Sequence, residues 1–399
     1  MSETVNHNER AYLKPSLKGL VLIGPMRGSK NGIGSYTERL ITELRKALPE
    51  CNILGTSELI GTGTIKVKEG QDLPSDWPGT LLESIDKIHP ELVHIQHGLY
   101  MGHNNKMSFF LDSLRARGIT VVVTLHGVWP SSFIRRWPVT FYRMLAQKVD
   151  KVIVHQDDKT LKCLLKNGIP GDMIDIIPHG TWCSKEIGNE ISNPLDDTRN
   201  RRVVLFAGNI FRRKGLHIVL NAFPAVVKKI GGACLVVVGN KRKTFFWDNL
   251  YHLWIKRKIN GGKREGWLLD RMEYVSDDEF WARITSAEVV VFPYLRVYGS
   301  ASGIFHRALA AGRPVICSKV PTFWEAVEAW GEELKELFPP AGDVEAWSAA
   351  MIKILTDDGL RKRATEASIM LGHNTSWSVA AEKHVQLYGS ILSSKGKIG

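Results

Sequence analysis

Residues 287–317, AEVVVFPYLRVYGSASGIFHRALAAGRPVIC, constrain the fold more than any other stretch, because they read in order as strand, loop, helix and strand. Val289, Val290, Val291 and Phe292 form an unbroken apolar run, which suits a strand buried on both faces of a parallel sheet. Gly299, Ser300, Ala301, Ser302 and Gly303 follow. Such small side chains leave backbone amides uncovered, and Ser302 is a good N-cap for a helix from about Gly303 to Ala311. Gly312 ends that helix, and Arg313 and Pro314 lead into a second buried run, Val315 to Cys317. Ligands of parallel sheets sit at loops of this kind, beyond the carboxyl ends of the strands.

The first turns of this helix hold His306 and Arg307 and no acid. Positive charge there costs about 0.3–1 kcal/mol against the helix dipole. A phosphate resting on the amides of Ser302, Gly303, Ile304 and Phe305 offsets that cost, so a bound anion is one expectation. The other is that both side chains turn to solvent on a surface helix.

At 399 residues, 44% of them hydrophobic, the chain exceeds one core and predicts two domains. No apolar run approaches the roughly 18 residues of a membrane span. The start, MSETVNHNERAYLKPSLKG, is polar, so the expectation is a cytoplasmic protein, at most peripheral to the inner face of a membrane. Cys51, Cys163, Cys183, Cys234 and Cys317 are scattered without metal spacing, which predicts reduced thiols and no zinc site. The net charge of +12 favours anionic partners: nucleotides, phosphorylated acceptors, anionic lipid or nucleic acid.

In chain order, 19–26 reads as a first strand and the glycine-bearing segment after it opens a helix with Ile33, Tyr36, Leu40, Ile41 and Leu44 at helical spacing. Gly32 and Gly34 at its mouth admit a ligand close to the backbone, or simply make a turn. ELVHIQHG (91–98), TVVVTLHGV (120–128) and DKVIVHQDD (150–158) are apolar runs ending in histidine and small or polar residues, and IDIIPHG (174–180) adds another. Helical segments between them predict a parallel sheet with His97, His126 and His155 at its carboxyl edge, as structural or as functional histidines. Asp157 and Asp158 suit a helix N-cap.

Residues 186–202 lose the periodicity and read as a linker. The predicted organisation is a first domain over 1–185, a second over 203–375, and a terminal helix in 376–399 returning to the first. The second opens with a strand, 203–208, the loop NIFRRKG, a helix, and the strand CLVVVG (234–239). Arg212, Arg213 and Lys214 thus lie past one strand end as the Gly299–Gly303 loop lies past another. A cationic loop beside free amides holds a diphosphate; a solvated charge cluster is the alternative.

The motifs NGIGSY (31–36), HIQHG, TLHG, VIVHQDD, IIPHG, FAGNIFRRKGL, VVVG, VVFPY, ALAAGRPVI and FPPAGDVEAWSAAMIKIL (338–355) occur in this order. Together they resemble the retaining family 4 glycosyltransferases of the GT-B fold. In the last motif Asp343 caps a helix with an apolar face of Val344, Trp347, Met351 and Ile354. The resemblance implies an α/β protein of two Rossmann-like parallel-sheet domains facing across a cleft. It implies a nucleotide-sugar donor, transfer with retention, and no cofactor or metal required by the protein.

By the same resemblance Arg212 and Lys214 hold the donor diphosphate, with Asn209 where many members have a further arginine. His126 lies beside the transferred sugar, and Gly32 and Gly34 lie near the phosphates. Typical members carry two glutamates eight residues apart; the matching positions are Gly299 and Arg307. In this variant pattern Ser300, Ser302 and His306 are expected to meet sugar or phosphate, alongside Gly303, Ile304 and Arg307.

Residues 129–148 and 241–267 interleave aromatics with Arg and Lys. They suit an anionic membrane surface, a phosphorylated or lipid-linked acceptor, or nucleic acid, or else ordinary helices with aromatics inward. The favoured reading is a hexosyltransferase acting on a glycan, glycolipid or small molecule. The alternatives are a transferase modifying nucleic acid and a non-catalytic nucleotide-sugar-binding descendant.

Overall fold

The computed structural model describes residues 17–25, 32–61, 72–102, 105–130, 137–155, 158–183, 196–240, 246–272, 275–295 and 301–396. Ser300, Gly299, Asp157 and most of the 186–202 linker lie outside the described residues, as do 131–136 and 241–245 of the two aromatic-basic stretches, and the Asp158 side chain is likewise not described.

The first sheet contains β1 (Gly19–Ile23), β2 (Asn52–Gly55), β3 (Leu92–His97), β4 (Thr120–Leu125), β5 (Lys151–Val154) and β6 (Ile174–Ile176). Its spatial order is β2-β1-β3-β4-β5-β6. Between these strands run α1 (Gly32–Ala47), α2 (Thr56–Gly61), α3 (Trp77–Ile88), α4 (Asn105–Ala116), α5 (Trp137–Lys148) and α6 (Asp158–Lys166). Strand pairing is parallel, as between β3 and β4, where Leu92 opposes Thr120 and His97 opposes Leu125. Both faces of β3 and β4 are buried, which is why these strands read as continuous apolar runs rather than alternating ones.

The second sheet contains β7 (Arg202–Ala207), β8 (Ala233–Val238), β9 (Leu268–Arg271), β10 (Val289–Phe292) and β11 (Val315–Cys317), in the order β11-β10-β7-β8-β9. Its helices are α7 (Leu216–Lys229), α8 (Phe246–Arg264), α9 (Asp277–Ser286), α10 (Gly303–Ala310) and α11 (Trp324–Trp330). The chain continues through α12 (Val344–Thr356) and α13 (Asp358–Asn374) to α14 (Trp377–Ser394). As expected, Asp343 caps α12, its carboxylate accepting from the Ala346 N–H at 3.0 Å, while Trp347, Met351 and Ile354 are buried.

The chain forms two compact units: residues up to Leu125 with Thr140–Ile153 and the segment from Ser378 on, and His126–Val139 with Val154–Trp377. Within the first, α14 is pinned to the sheet through His94, whose Nδ1 lies 2.6 Å from the Tyr388 hydroxyl and whose Nε2 lies 2.7 Å from Thr124 Oγ1. The 129–148 stretch resolves into an ordinary amphipathic helix over its described part: Phe141, Tyr142 and Leu145 of α5 are buried. In both sheets the strand order reverses once, between β1 and β3 and between β7 and β10, and parallel sheets open a crevice for ligands at such points.

Candidate functional site

Two loops leave the reversal point of the second sheet, one after β7 and one after β10. The first coils Arg212–Lys214 into a single 3-10 turn closed by Gly215 at a left-handed φ of 74°. A Cβ on Gly215 would stand 1.7 Å from the Pro293 carbonyl oxygen, so only glycine lets this turn rest on the end of β10. The Leu295 N–H donates to the Arg213 carbonyl at 2.9 Å, tying the two loops together. Lys214 Nζ sits 3.7 Å from the centre of the Tyr294 ring, a contact favourable to the ammonium. Among the described residues no carboxylate pairs with Arg212, Arg213 or Lys214. Asn209 is exposed at the same strand end.

The structure corrects the expected Ser302 cap. Ser302 occupies the N-cap position of α10, but its side chain makes no capping bond; Oγ lies 3.0 Å from the hydroxyl of Tyr294 instead. A buried phenol must find a partner, and it takes the serine. The amides of Gly303 and Ile304 are left without that side chain. Ile304 packs toward β7: its Cδ1 would lie 3.3 Å from a Cβ on Gly208.

Neither His306 nor Arg307 needs a bound anion to offset its charge. Arg307 is answered by Asp277, 3.0 Å away, and its guanidinium lies about 5 Å from the rings of Trp182, Phe280 and Trp281. His306 is buried and uncharged, with burial pushing its imidazole down to about 3.

His306 ends a row of four histidines within the second unit. Ring centres run from His126 to His155 at 5.0 Å, His155 to His179 at 5.7 Å and His179 to His306 at 4.6 Å, the last pair stacked. The first three follow the ends of β4, β5 and β6, neighbours in the sheet, so the strand spacing of about 4.8 Å sets the ring spacing. Burial pushes the His155 imidazole down to about 4; His179, desolvated and beside His306 and His155, lies well below the ordinary histidine range. Nδ1 of His155 donates to the Ile177 carbonyl and Nδ1 of His179 to the Gly180 carbonyl, each at 2.9 Å. In these neutral rings Nε2 is therefore the acceptor nitrogen.

His306 Nδ1 meets Thr181 Oγ1 at 2.7 Å. Thr181 is held in turn by backbone bonds to Thr375 and Trp377. Gly180 is glycine because the Trp377 indole lies where its Cβ would be, at 2.2 Å.

A cavity of about 250 Å³ opens on His155 and His306, with Ala301, Thr322, Glu325 and Glu328 also in its wall. The two glutamates stand three residues apart on α11 and so share a face. No motif of the sequence marks a carboxylate for this region. Their only signal is an acid pair shortly after β11, and which cavity it meets depends on packing.

The first unit holds the remaining residues. Gly32 opens α1 with free space where a Cβ would stand, and Gly34 is buried. Gly98 lets α1 approach the end of β3, since its Cβ would lie 2.5 Å from Ile33 Cδ1. His97 does not join the histidine row; its ring packs on Phe141 at 4.6 Å.

Residues 30–184 match the family described as Glycosyltransferase Family 4, and residues 201–357 match Glycosyl transferases group 1. The crystal structure of Anabaena HepE in complex with UDP and glucose superposes with a TM-score of 0.69 at 12% identity, over 94% of this chain and 100% of that one. The chain belongs to the GT-B glycosyltransferases. The chain is 29% identical over 202 residues to a phosphatidyl-myo-inositol mannosyltransferase of Mycobacterium leprae and spans about half of that relative, 49%. It is 28% identical over 381 residues to the protein of the same description from Mycolicibacterium smegmatis, covering 92% of each chain.

Proposed function

We propose that the protein transfers a hexosyl group, mannose first among candidates, from a nucleoside diphosphate sugar to a glycan, glycolipid or small-molecule acceptor. The observation that carries this reading is the corner between β7 and β10. There the Arg212–Lys214 turn, bonded to no carboxylate among the described residues, is joined to the loop that leads into the N-terminus of α10. Cations and helix amides gathered at one sheet edge can stabilise charge on a departing diphosphate, and a single such donor is worth about 2.7–4 kcal/mol of barrier. The mannosyltransferase names of the relatives and the UDP-bound HepE structure support the donor class.

The sugar is assigned to the cavity beside His306. There neutral imidazoles and the carboxylates of Glu325 and Glu328 accept hydroxyl hydrogen bonds, in place of the glutamates that Gly299 and Arg307 replace. The departing phosphate accepts the acceptor's proton, so transfer proceeds with retention and the protein needs no resident metal. The test is nucleotide release with UDP-, GDP-, ADP- and dTDP-sugars, with and without EDTA. Selective turnover of one donor, indifferent to chelator, supports the reading; no release across the panel overturns it in favour of a non-catalytic binding protein.

A further inference from the structure

We propose that α8 docks the protein on an anionic lipid bilayer. Helical spacing turns His252, Ile255 and Ile259 inward, where they are buried. The opposite side carries Leu250, Leu253, Trp254 and Arg257 at i, i+3, i+4 and i+7. Leu250 is 50% exposed, Leu253 60% and Trp254 37%. A helix with one apolar face gains by burying it in the core, and a second apolar face opposite the first gains nothing in water.

Charge selects the occupant. Lys256, Arg257 and Lys258 are consecutive and exposed, and Lys263 and Arg264 follow in the last turn. Among the described residues Lys263 pairs with Asp270, whereas no carboxylate pairs with Lys256, Arg257 or Lys258; Lys258 Nζ lies 5.5 Å from the Trp254 ring. Leucines and a tryptophan rimmed by cations match a surface that is negative at its headgroups and apolar below them. Nucleic acid uses the cations and the tryptophan but gains nothing from two exposed leucines. A second copy of the helix sets cations against cations.

Docking here reaches the donor corner mechanically. On the inner side of α8, His252 Nε2 donates to the Ile210 carbonyl at 2.8 Å, and the Tyr251 hydroxyl lies 3.1 Å from Nδ1 of His217. The helix that meets the bilayer therefore buttresses the loop carrying Arg212–Lys214. Adhesion of α8 to a bilayer does not depend on whether the protein transfers a sugar.

The experiment is co-sedimentation of the full chain with phosphatidylcholine vesicles, with and without phosphatidylglycerol. Wild type is expected to bind only the anionic vesicles. Lys256→Ser/Arg257→Ser/Lys258→Ser lowers partitioning about a hundred-fold. Leu250→Ser/Leu253→Ser lowers it at least about ten-fold at unchanged net charge. Thermal unfolding is checked for each variant, and Leu253→Gln alone replaces the double variant if that fails to fold. Wild type that ignores both vesicles overturns the proposal, as do leucine variants that bind like wild type. So do variants that lose duplex DNA binding or self-association while vesicle binding is absent throughout.

Discussion

Arg212 and Lys214 separate a site of fixed charge from a solvated cluster. Each replaced by alanine is expected to lower kcat/KM for the nucleotide sugar about a hundred-fold or more, with the far-ultraviolet dichroism unchanged, because both are surface residues of a short turn. Arg213→Ala is the control, since that side chain lies over Phe211. The buried histidines make a separate statement about pH. His155 and His306 titrate near 4 and 3 in the folded chain and near 6.5 when unfolded. The unfolded state thus takes up protons first. Their contribution is complete above pH 6.5 and is lost as pH falls, down to about 4 for His155 and about 3 for His306, by about 1.4 kcal/mol per pH unit for each proton. The unfolding midpoint in denaturant is expected to drop between pH 6.5 and 4.5, and His306→Gln to reduce that slope by one proton. Arg212, Lys214 and the strand-end histidines were legible because each follows a recognisable apolar run. Tyr294, Glu325 and Glu328 were not, because nothing local says which cavity they meet.

Strands and helices were legible where their periodicity was strong. Val289–Phe292 and Val315–Cys317 form strands as expected, and Asp343 caps its helix. The short strands Asn52–Gly55 and Leu268–Arg271 escaped, because four residues with mixed burial carry too little pattern. The turn after β7 depends on Gly215. Gly215→Ala, which combines a left-handed φ with a Cβ 1.7 Å from the Pro293 oxygen, is expected to cost at least about 2 kcal/mol by chemical denaturation. Asp343→Ala is expected to cost about 1 kcal/mol, the usual worth of a side-chain cap. The two aromatic-basic stretches diverged: α5 turns Phe141 and Tyr142 inward, whereas α8 leaves Leu253 and Trp254 outside.

For the whole molecule, the C-terminal segment is the sharpest test. Tyr388 and Leu392 of α14 are buried in the first unit, and the Tyr388 hydroxyl is held by His94. A chain ended after Ser376 removes that packing and strips His94 of a partner. It is expected to lose cooperative unfolding and to accumulate as insoluble protein, whereas Tyr388→Phe folds at a cost of about 1–3 kcal/mol. The sequence by itself determined the alternation of buried strands and amphipathic helices, hence two parallel sheets, and put cations, glycines and histidines past the strand ends. These are local facts, written in spacing. Only the tertiary structure decided which strands lie side by side. Neighbourhood of β7 and β10 joins the Arg212–Lys214 turn to the loop entering α10, and neighbourhood of β4, β5 and β6 lines up three histidines to meet a fourth from α10. Strand order is set by long-range packing of helices on the sheets, which no window of sequence contains.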